Sequence, residues 1–280
     1  MCEIIDKKIL HENLKQIVVK APLVAKHANP GQFVIVMADE KGERIPITIA
    51  DYDREEGTIT LIFLEIGTST KKLGSLEVGD KLYSLCGPLG NPSKIEKFGT
   101  VVCVGGGVGV ASLYPIVRAL KREGNRVISI LGARTKSLLI MEKEISNYSD
   151  ELMIATDDGS KGKKGFVTDV LRELMESGER IDHVIAVGPI PMMKAVSELT
   201  KKYRIKTTVS LNPIMVCGMG MCGACRVRVG KEIKFACVDG PEFDGHKVDF
   251  DNLMKRNQRF VEEEGISLVR YLDTQWKGEV

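Results

Sequence analysis

The sequence predicts an antiparallel β-barrel, then an α/β domain with a parallel sheet, then a small cysteine-rich C-terminal subdomain. Three observations carry this prediction. Up to about residue 98, short apolar runs are separated by turn residues; from Gly99 the rhythm becomes strand followed by helix; and four of the seven cysteines crowd between positions 217 and 237. The segments so read are 1–98, 99–211 and 212–280. A length of 280 residues suits two modest domains with an appendage better than one core. Hydrophobic residues at 43% and charged ones at 28% supply an ordinary globular interior and argue against extended disorder. Forty basic against 38 acidic residues, spread along the chain, leave no electrostatic footprint for nucleic acid.

In the first segment the runs QIVVKA, GQFVIVM, RIPITIAD, GTITLIFLEI and DKLYSLCG have the spacing of short barrel strands. In the second, TVVCVGGG precedes ASLYPIVRALKREG, RVISILGAR precedes LLIMEKEIS, ELMIATDD precedes FVTDVLRELMES, and HVIAVGP precedes PMMKAVSELTKK. That alternation means a parallel sheet covered by helices, with KTTVSL as its last strand. Phe98 to Val117 is uncharged over twenty residues, about the length of a membrane span. Its five glycines and Pro115 suit a buried strand, a tight loop and a helix start instead, so no membrane association is expected. The opening MCEIIDKKIL places charges where a secretory signal needs a continuous apolar run, and a cytoplasmic location is expected. The tail FDNLMKRNQRFVEEE reads as helical, available to the body or to a partner.

Thiols stay reduced in the cytoplasm, so cysteine spacing matters more than cysteine number. Cys217, Cys222, Cys225 and Cys237 form C-x4-C-x2-C-x11-C, with Gly218, Gly220 and Gly223 between the first three. The first half of this spacing matches the start of plant-type [2Fe-2S] ferredoxins, in which four thiolates surround two irons. The glycines let the loop wrap closely while backbone N–H groups approach the sulfurs. A structural zinc is the alternative, but it commonly pairs two C-x2-C units or adds histidine, and no histidine lies between the first and last cysteine.

TVVCV runs into Gly105, Gly106, Gly107, Val108 and Gly109 and then a helix, an arrangement that can hold a pyrophosphate on loop N–H groups. The dinucleotide fingerprint is imperfect, because position 110 is valine and GAR carries no ribose-binding acid. ATDDGS, with Asp157 and Asp158, and VGPIPMM, with Gly188 and Pro189, follow later strands at the carboxyl edge where such sheets bind ligands. Arg134 is either a contact for an adenosine phosphate or a solvated surface charge. In the barrel, Arg44, Pro46 and Thr48 share one strand face, which puts a cation and a hydroxyl together. GTSTKKL offers Thr68, Ser69 and Thr70 as caps of a short helix whose free N–H groups suit a diphosphate.

Taken together, RIPITIAD, GTSTKKL, CGPLGNP, VGGGVGVASLYPI, VGPIPMM and the four-cysteine loop resemble the ferredoxin-NADP reductase superfamily over essentially the whole chain. Within it the chain is similar to the electron-transfer subunits of dihydroorotate dehydrogenase and to the small alpha subunit of NADH-dependent ferredoxin:NADP oxidoreductase, the sulfide dehydrogenase type. The resemblance implies an FAD-binding barrel with contacts at Arg44, Pro46, Ile47, Thr48, Leu64, Glu65, Ile66, Ser69 and Thr70. It implies an NAD(P)-binding domain with contacts at Gly106, Gly107, Val108, Gly109, Arg134, Asp157, Asp158, Gly188, Pro189 and Met192, and a [2Fe-2S] cluster on Cys217, Cys222, Cys225 and Cys237. No protein residue is expected to be catalytic, because hydride passes between bound cofactors. NADH is expected, with NADP(H) as the alternative. A larger flavin and iron-sulfur subunit is expected to form a heterodimer or higher complex with this chain and to link it to ferredoxin. Members of the second group can carry aspartate at the first cluster position, whereas Cys217 stands here, as in dihydroorotate-type subunits.

Overall fold

The computed structural model describes residues 2–277. Seven strands make the first sheet: β1 (Cys2–His11), β2 (Leu14–Lys20), β3 (Phe33–Met37), β4 (Ile45–Asp53), β5 (Thr58–Leu64), β6 (Lys81–Leu82) and β7 (Ser84–Leu89). Their order is β6-β1-β2-β5-β4-β3-β7, with every pairing antiparallel. β6 and β7 end that order on opposite sides yet are separated in the chain only by Tyr83, so covalent continuity closes the cylinder where the ladder does not. Period-two alternation sends Ile47, Ile49, Ile59, Leu61, Val34 and Val36 inside. The helices α1 (Pro22–His27) and α2 (Thr68–Ser75) contribute Val24, Ala25 and Leu73 to the same core.

The second sheet begins with β8 (Thr100–Gly106), α3 (Gly109–Arg122) and β9 (Arg126–Ala133). It continues through α4 (Glu142–Ser146), β10 (Glu151–Thr156), β11 (Lys163–Lys164), α5 (Val167–Glu176), β12 (His183–Val187), α6 (Ile190–Lys202) and β13 (Lys206–Ser210). The cysteine-rich segment adds the hairpin β14 (Arg226–Val229) and β15 (Glu232–Phe235), the short helix α7 (Ala236–Asp239) and β16 (Glu242–Asp244). Strand order is β11-β10-β9-β8-β12-β13-β16, parallel throughout except for β16, which lies antiparallel on β13. KTTVSL is therefore not the edge: the chain leaves the sheet, forms the cysteine loop and returns. α8 (Phe250–Asn257) and α9 (Val261–Lys277) complete the described chain.

Two expected helices are altered. LLIMEKEIS yields only α4, because Met141 adopts a left-handed conformation (φ 51°) that no helix can continue through. FDNLMKRNQRFVEEE is split into α8 and α9, with the end of α8 pinned by Asn257 Nδ2 donating to the Asn212 carbonyl. The uncharged stretch from Phe98 forms β8, the glycine loop and most of α3. Among the described residues no helix is long and apolar enough to cross a membrane.

One face of the sheet packs α5, α6 and α8 in a core that also contains Phe33 and Ile35 of the barrel and Cys225 and Cys237 of the loop. The other face packs α3 against Leu14, Ala50 and Ile62 of the barrel. An ion pair crosses this second junction: Arg118 Nη2 of α3 lies 2.7 Å from Asp51 Oδ1 of β4, with the guanidinium over Tyr52 and Tyr114.

Candidate functional site

The β14–β15 hairpin pairs Arg226 with Phe235, so the residues just outside its base, Cys225 and Cys237, meet with sulfurs 3.2 Å apart. Both are 1% exposed and Cys217 is 7% exposed, whereas Cys222 faces outward. Main-chain donors converge on the sulfurs. The N–H groups of Met219 and Cys222 reach Cys217 Sγ at 3.5 and 3.4 Å, Gly220 N–H reaches Cys237 Sγ at 3.2 Å, and Ala224 N–H reaches Cys222 Sγ at 3.5 Å. Such donors stabilise thiolates, the form that binds metal. Burial raises the Cys217 pKa, but the N–H groups of Cys222 and Met219, the Cys222 thiol and the Met221 N–H together outweigh it and bring it down to about 6. Burial, and then the adjoining Cys225, push Cys237 up to about 12.

The turns that aim these donors need glycine at position 218. Its φ is +76°, and a methyl there would meet Leu89 Cδ1 at 2.6 Å and Ile35 Cγ1 at 2.9 Å, so the loop presses directly on the barrel. Five side chains hold the loop's carbonyls: Arg44 Nε donates to Val216, Arg256 Nη2 and Arg259 Nη2 to Ala224, Asn91 Nδ2 to Val238 and Asn257 Nδ2 to Asn212. Four thiols on one donor-rich loop are the ligand type that an iron-sulfur core takes.

Arg44 also belongs to the barrel face next to the loop. Ile47 and Ile49 point into the barrel, which turns Pro46 and Thr48 outward and leaves Ile47 only its main chain to offer a ligand. At the end of β5, Ile66 is 72% exposed on this side, while the Glu65 carboxylate turns back to Lys15 Nζ at 3.1 Å. Of the three hydroxyls that the sequence offers as caps of α2, Thr70 acts as one. Gly67 is the N-cap, in extended conformation, and Thr70 Oγ1 reaches back to accept from the N–H groups of Ile66 and Gly67. Ser69 Oγ donates to Glu43 Oε2, and Thr68 Oγ1 lies 3.0 Å from Ser267 Oγ of α9. The first turn of α2 thus sits beside Leu64, Glu65 and Ile66, its hydroxyls engaged within the protein.

At the carboxyl edge of the second sheet, β8 and β12 are neighbours, with Val187 opposite Gly105. Their loops interlock. A methyl at Gly106 or at Gly188 would strike the Met192 side chain, and one at Gly109 would lie 2.5 Å from the Val187 carbonyl oxygen. Gly107, with φ +54°, donates its N–H to Gly132 O at the end of β9 and has open space where a side chain would be. Val108 forms the N-cap of α3 and Pro189 that of α6. Farther along the same edge, the N–H groups of Asp157 and Asp158 bond to Ala133 O and Arg134 O. Asp158 Oδ1 accepts from Ser160 N–H and Ser160 Oγ, which hold its carboxylate below the usual range. Gly106, Gly109, Gly188 and Met192 are therefore in one contact set. Arg134, exposed, and the two aspartates occupy a second rim beyond β9. Sequence reasoning missed Arg256, Asn91 and the Arg118–Asp51 pair, none of which lies in a local pattern that reveals its partner.

Residues 103–198 match the oxidoreductase NAD-binding domain, and residues 212–249 match the iron-sulfur cluster binding domain of dihydroorotate dehydrogenase B. A Thermotoga maritima protein named as a dihydroorotate dehydrogenase B (NAD(+)) electron transfer subunit homolog is 49% identical over 277 residues, covering 99% of this chain and 98% of its own. The electron transfer subunit of dihydroorotate dehydrogenase B from Bacillus cereus is 34% identical over 251 residues, covering 86% and 94%. A chain from a solved structure of an NADH-dependent reduced ferredoxin-NADP oxidoreductase, described in terms of flavin-based electron bifurcation, superposes with a TM-score of 0.92. It is 48% identical, and the match covers 97% of this chain and 98% of that one.

Proposed function

Because this chain belongs to the family of dihydroorotate dehydrogenase B electron-transfer subunits and their homologues, we propose that it passes electrons from NADH through FAD and one [2Fe-2S] cluster to a larger partner subunit. It is a redox enzyme subunit with an NAD-binding and an iron-sulfur-binding segment. The observation that carries the finer reading is the Arg44–Val216 hydrogen bond of 3.0 Å, which joins the outward strand face to the residue next to Cys217. In this reading 1–98 is the FAD-binding barrel, 99–211 the NAD(P)-binding domain and 212–280 the cluster loop and tail, with β16 returned to the middle sheet.

FAD, when bound, exchanges electron pairs with the nicotinamide and single electrons with the cluster. The chain's own residues position these groups. Pro46 and Thr48 form the wall for the flavin, and the free N–H groups of the first turn of α2 receive its diphosphate. Gly106, Gly107 and Gly109 let the dinucleotide approach the main chain, and Gly188, Pro189 and Met192 border it. The four cysteines hold the cluster, and the N–H donors on their sulfurs set its potential. Orientation rather than proton transfer is the protein's contribution.

The larger subunit carries its own flavin and iron-sulfur centres and delivers electrons onward to ferredoxin. Cys217 at the first position and the match over 212–249 favour one other reading, attachment to a dihydroorotate-oxidising subunit. Assay of the native complex with dihydroorotate decides between them. The reading as a whole is tested by an anaerobic visible spectrum with iron and acid-labile sulfide analysis, before and after NADH. Flavin bands, equal iron and sulfide, and bleaching by NADH are expected; a colourless, zinc-loaded protein would overturn it.

A further inference from the structure

Beside the cysteine loop, one face of β14 and one face of α8 converge. Arg226 and Arg228 share a strand face, and Asn252 and Arg256 share a helix face one turn apart. With Val227 and Ile233 they line an open cavity of about 220 Å³. Among the described residues neither Arg226, Arg228, Arg256 nor Arg259 makes an ion pair, whereas nearby Lys194 pairs with Asp251 and Lys234 with Glu232. The Nε of Arg256 is buried without an acceptor, a costly state for a charged donor. Burial, followed by the charges of Arg259 and Arg226, pulls the Arg256 pKa down, as expected of a guanidinium surrounded by its own sign.

We propose that this cavity is the docking point for a carboxylate-rich surface of a protein partner that exchanges electrons at the cysteine loop. The role of electrons rests on the function proposed above; the acidity of the partner rests on the arginines alone. The space is smaller than the roughly 300–1,000 Å³ of small-molecule pockets and takes a side-chain carboxylate. Its mouth carries Ile233, 63% exposed, and arginine beside exposed aliphatic surface is the composition of protein interfaces. Arg256 bonds the carbonyl of Ala224, between Cys222 and Cys225, so a partner paired with Arg256 stands next to the thiols.

The test measures binding of a fluorescein-labelled poly-L-glutamate peptide to the full chain by anisotropy, against rising sodium chloride. Arg228→Gln removes a charge that holds no loop carbonyl, and Lys8→Gln, on the far barrel strand, is the equal-charge control. Saturable binding that weakens with salt, falls about tenfold in R228Q and is unchanged in K8Q is expected. Equal effects of the two substitutions would overturn the proposal. So would displacement of the peptide by inorganic phosphate at far lower ionic strength than sodium chloride requires, which marks a small-anion pocket. Equally tight binding of a single-stranded oligonucleotide of the same charge would overturn it as well. None of these outcomes depends on flavin or cluster content, so the redox reading stands or falls separately.

Discussion

Gly109→Ala is a direct perturbation of the proposed nicotinamide loop. The added methyl would stand 2.5 Å from the Val187 carbonyl oxygen and 2.7 Å from Gly188 Cα, both main chain. Ordinary contact begins at 3.4 Å, so 2.5 Å leaves a shortfall of about 0.9 Å. β12 is held between β8 and β13 and cannot yield, so the start of α3 must lift by nearly that distance. Overpacking of this kind costs about 1–3 kcal/mol. A misplacement of about 1 Å in a binding loop lowers rate by roughly a hundredfold. Gly124→Ala, in the turn that follows α3 and outside the proposed binding loops, is the comparison: its φ of +84° makes a side chain strained by about 1–2 kcal/mol, but no atom lies within 4 Å of the new methyl. Stopped-flow reduction of the bound flavin by NADH reads both. Gly109→Ala is expected to lose roughly 10- to 100-fold in kcat/KM and Gly124→Ala much less. Wild-type reduction in Gly109→Ala, or an equal loss in Gly124→Ala, would refute the argument.

Cys225→Ser is expected to abolish iron and sulfide binding while leaving flavin in place, because Cys225 lies in the core against Cys237 and nothing nearby replaces its thiolate; iron analysis per chain checks it. His183 is buried against Phe98, with Nε2 on Thr208 Oγ1 and Nδ1 without a partner, and burial lowers its pKa from 6.5 to about 4. The unfolded chain then binds the extra proton between these values, so stability falls as pH drops from about 6.5 to 4. The loss between pH 7 and 5 is about 2 kcal/mol, and it should vanish from the acid limb of urea titrations of His183→Phe. Glu242 is raised by burial, with Ser93 Oγ donating to it at 2.5 Å. The folded state retains that proton longer, so its contribution to stability declines as pH rises above the usual carboxyl range. Glu242→Gln should flatten that decline in the same titrations.

The barrel was legible because alternation such as Ile45, Ile47, Ile49 survives in any strand with one buried face, and the parallel sheet because strand–helix alternation admits few other solutions. The cysteine spacing was legible as well, since its glycines and thiols are local. What escaped the sequence is non-local or too short. β16 is three residues, Glu242–Asp244, below any periodicity. Thr70 was legible as a cap, but not that it serves from the third helical position, accepting from the N–H groups that precede it. The donors that fix the loop act across 172 residues for Arg44, 147 for Asn91 and 32 for Arg256, so no window of sequence contains both partners.

Those long-range donors explain how a glycine-rich loop can serve as a precise support. Gly218, Gly220 and Gly223 all have left-handed φ, and a free segment of this composition would lose much backbone entropy on adopting a single shape. The folded chain bears most of that cost before any cofactor arrives. Arg44 and Asn91 hold the loop from the barrel side, Arg256 and Asn257 hold it from α8, and Gly218 seats it on Leu89 and Ile35. The N–H groups are then already aimed at the sulfurs of Cys217, Cys222 and Cys237. Because Arg44 immediately precedes β4, the strand face proposed for the flavin and the loop proposed for the cluster are parts of one rigid connection, and their separation cannot drift without breaking it.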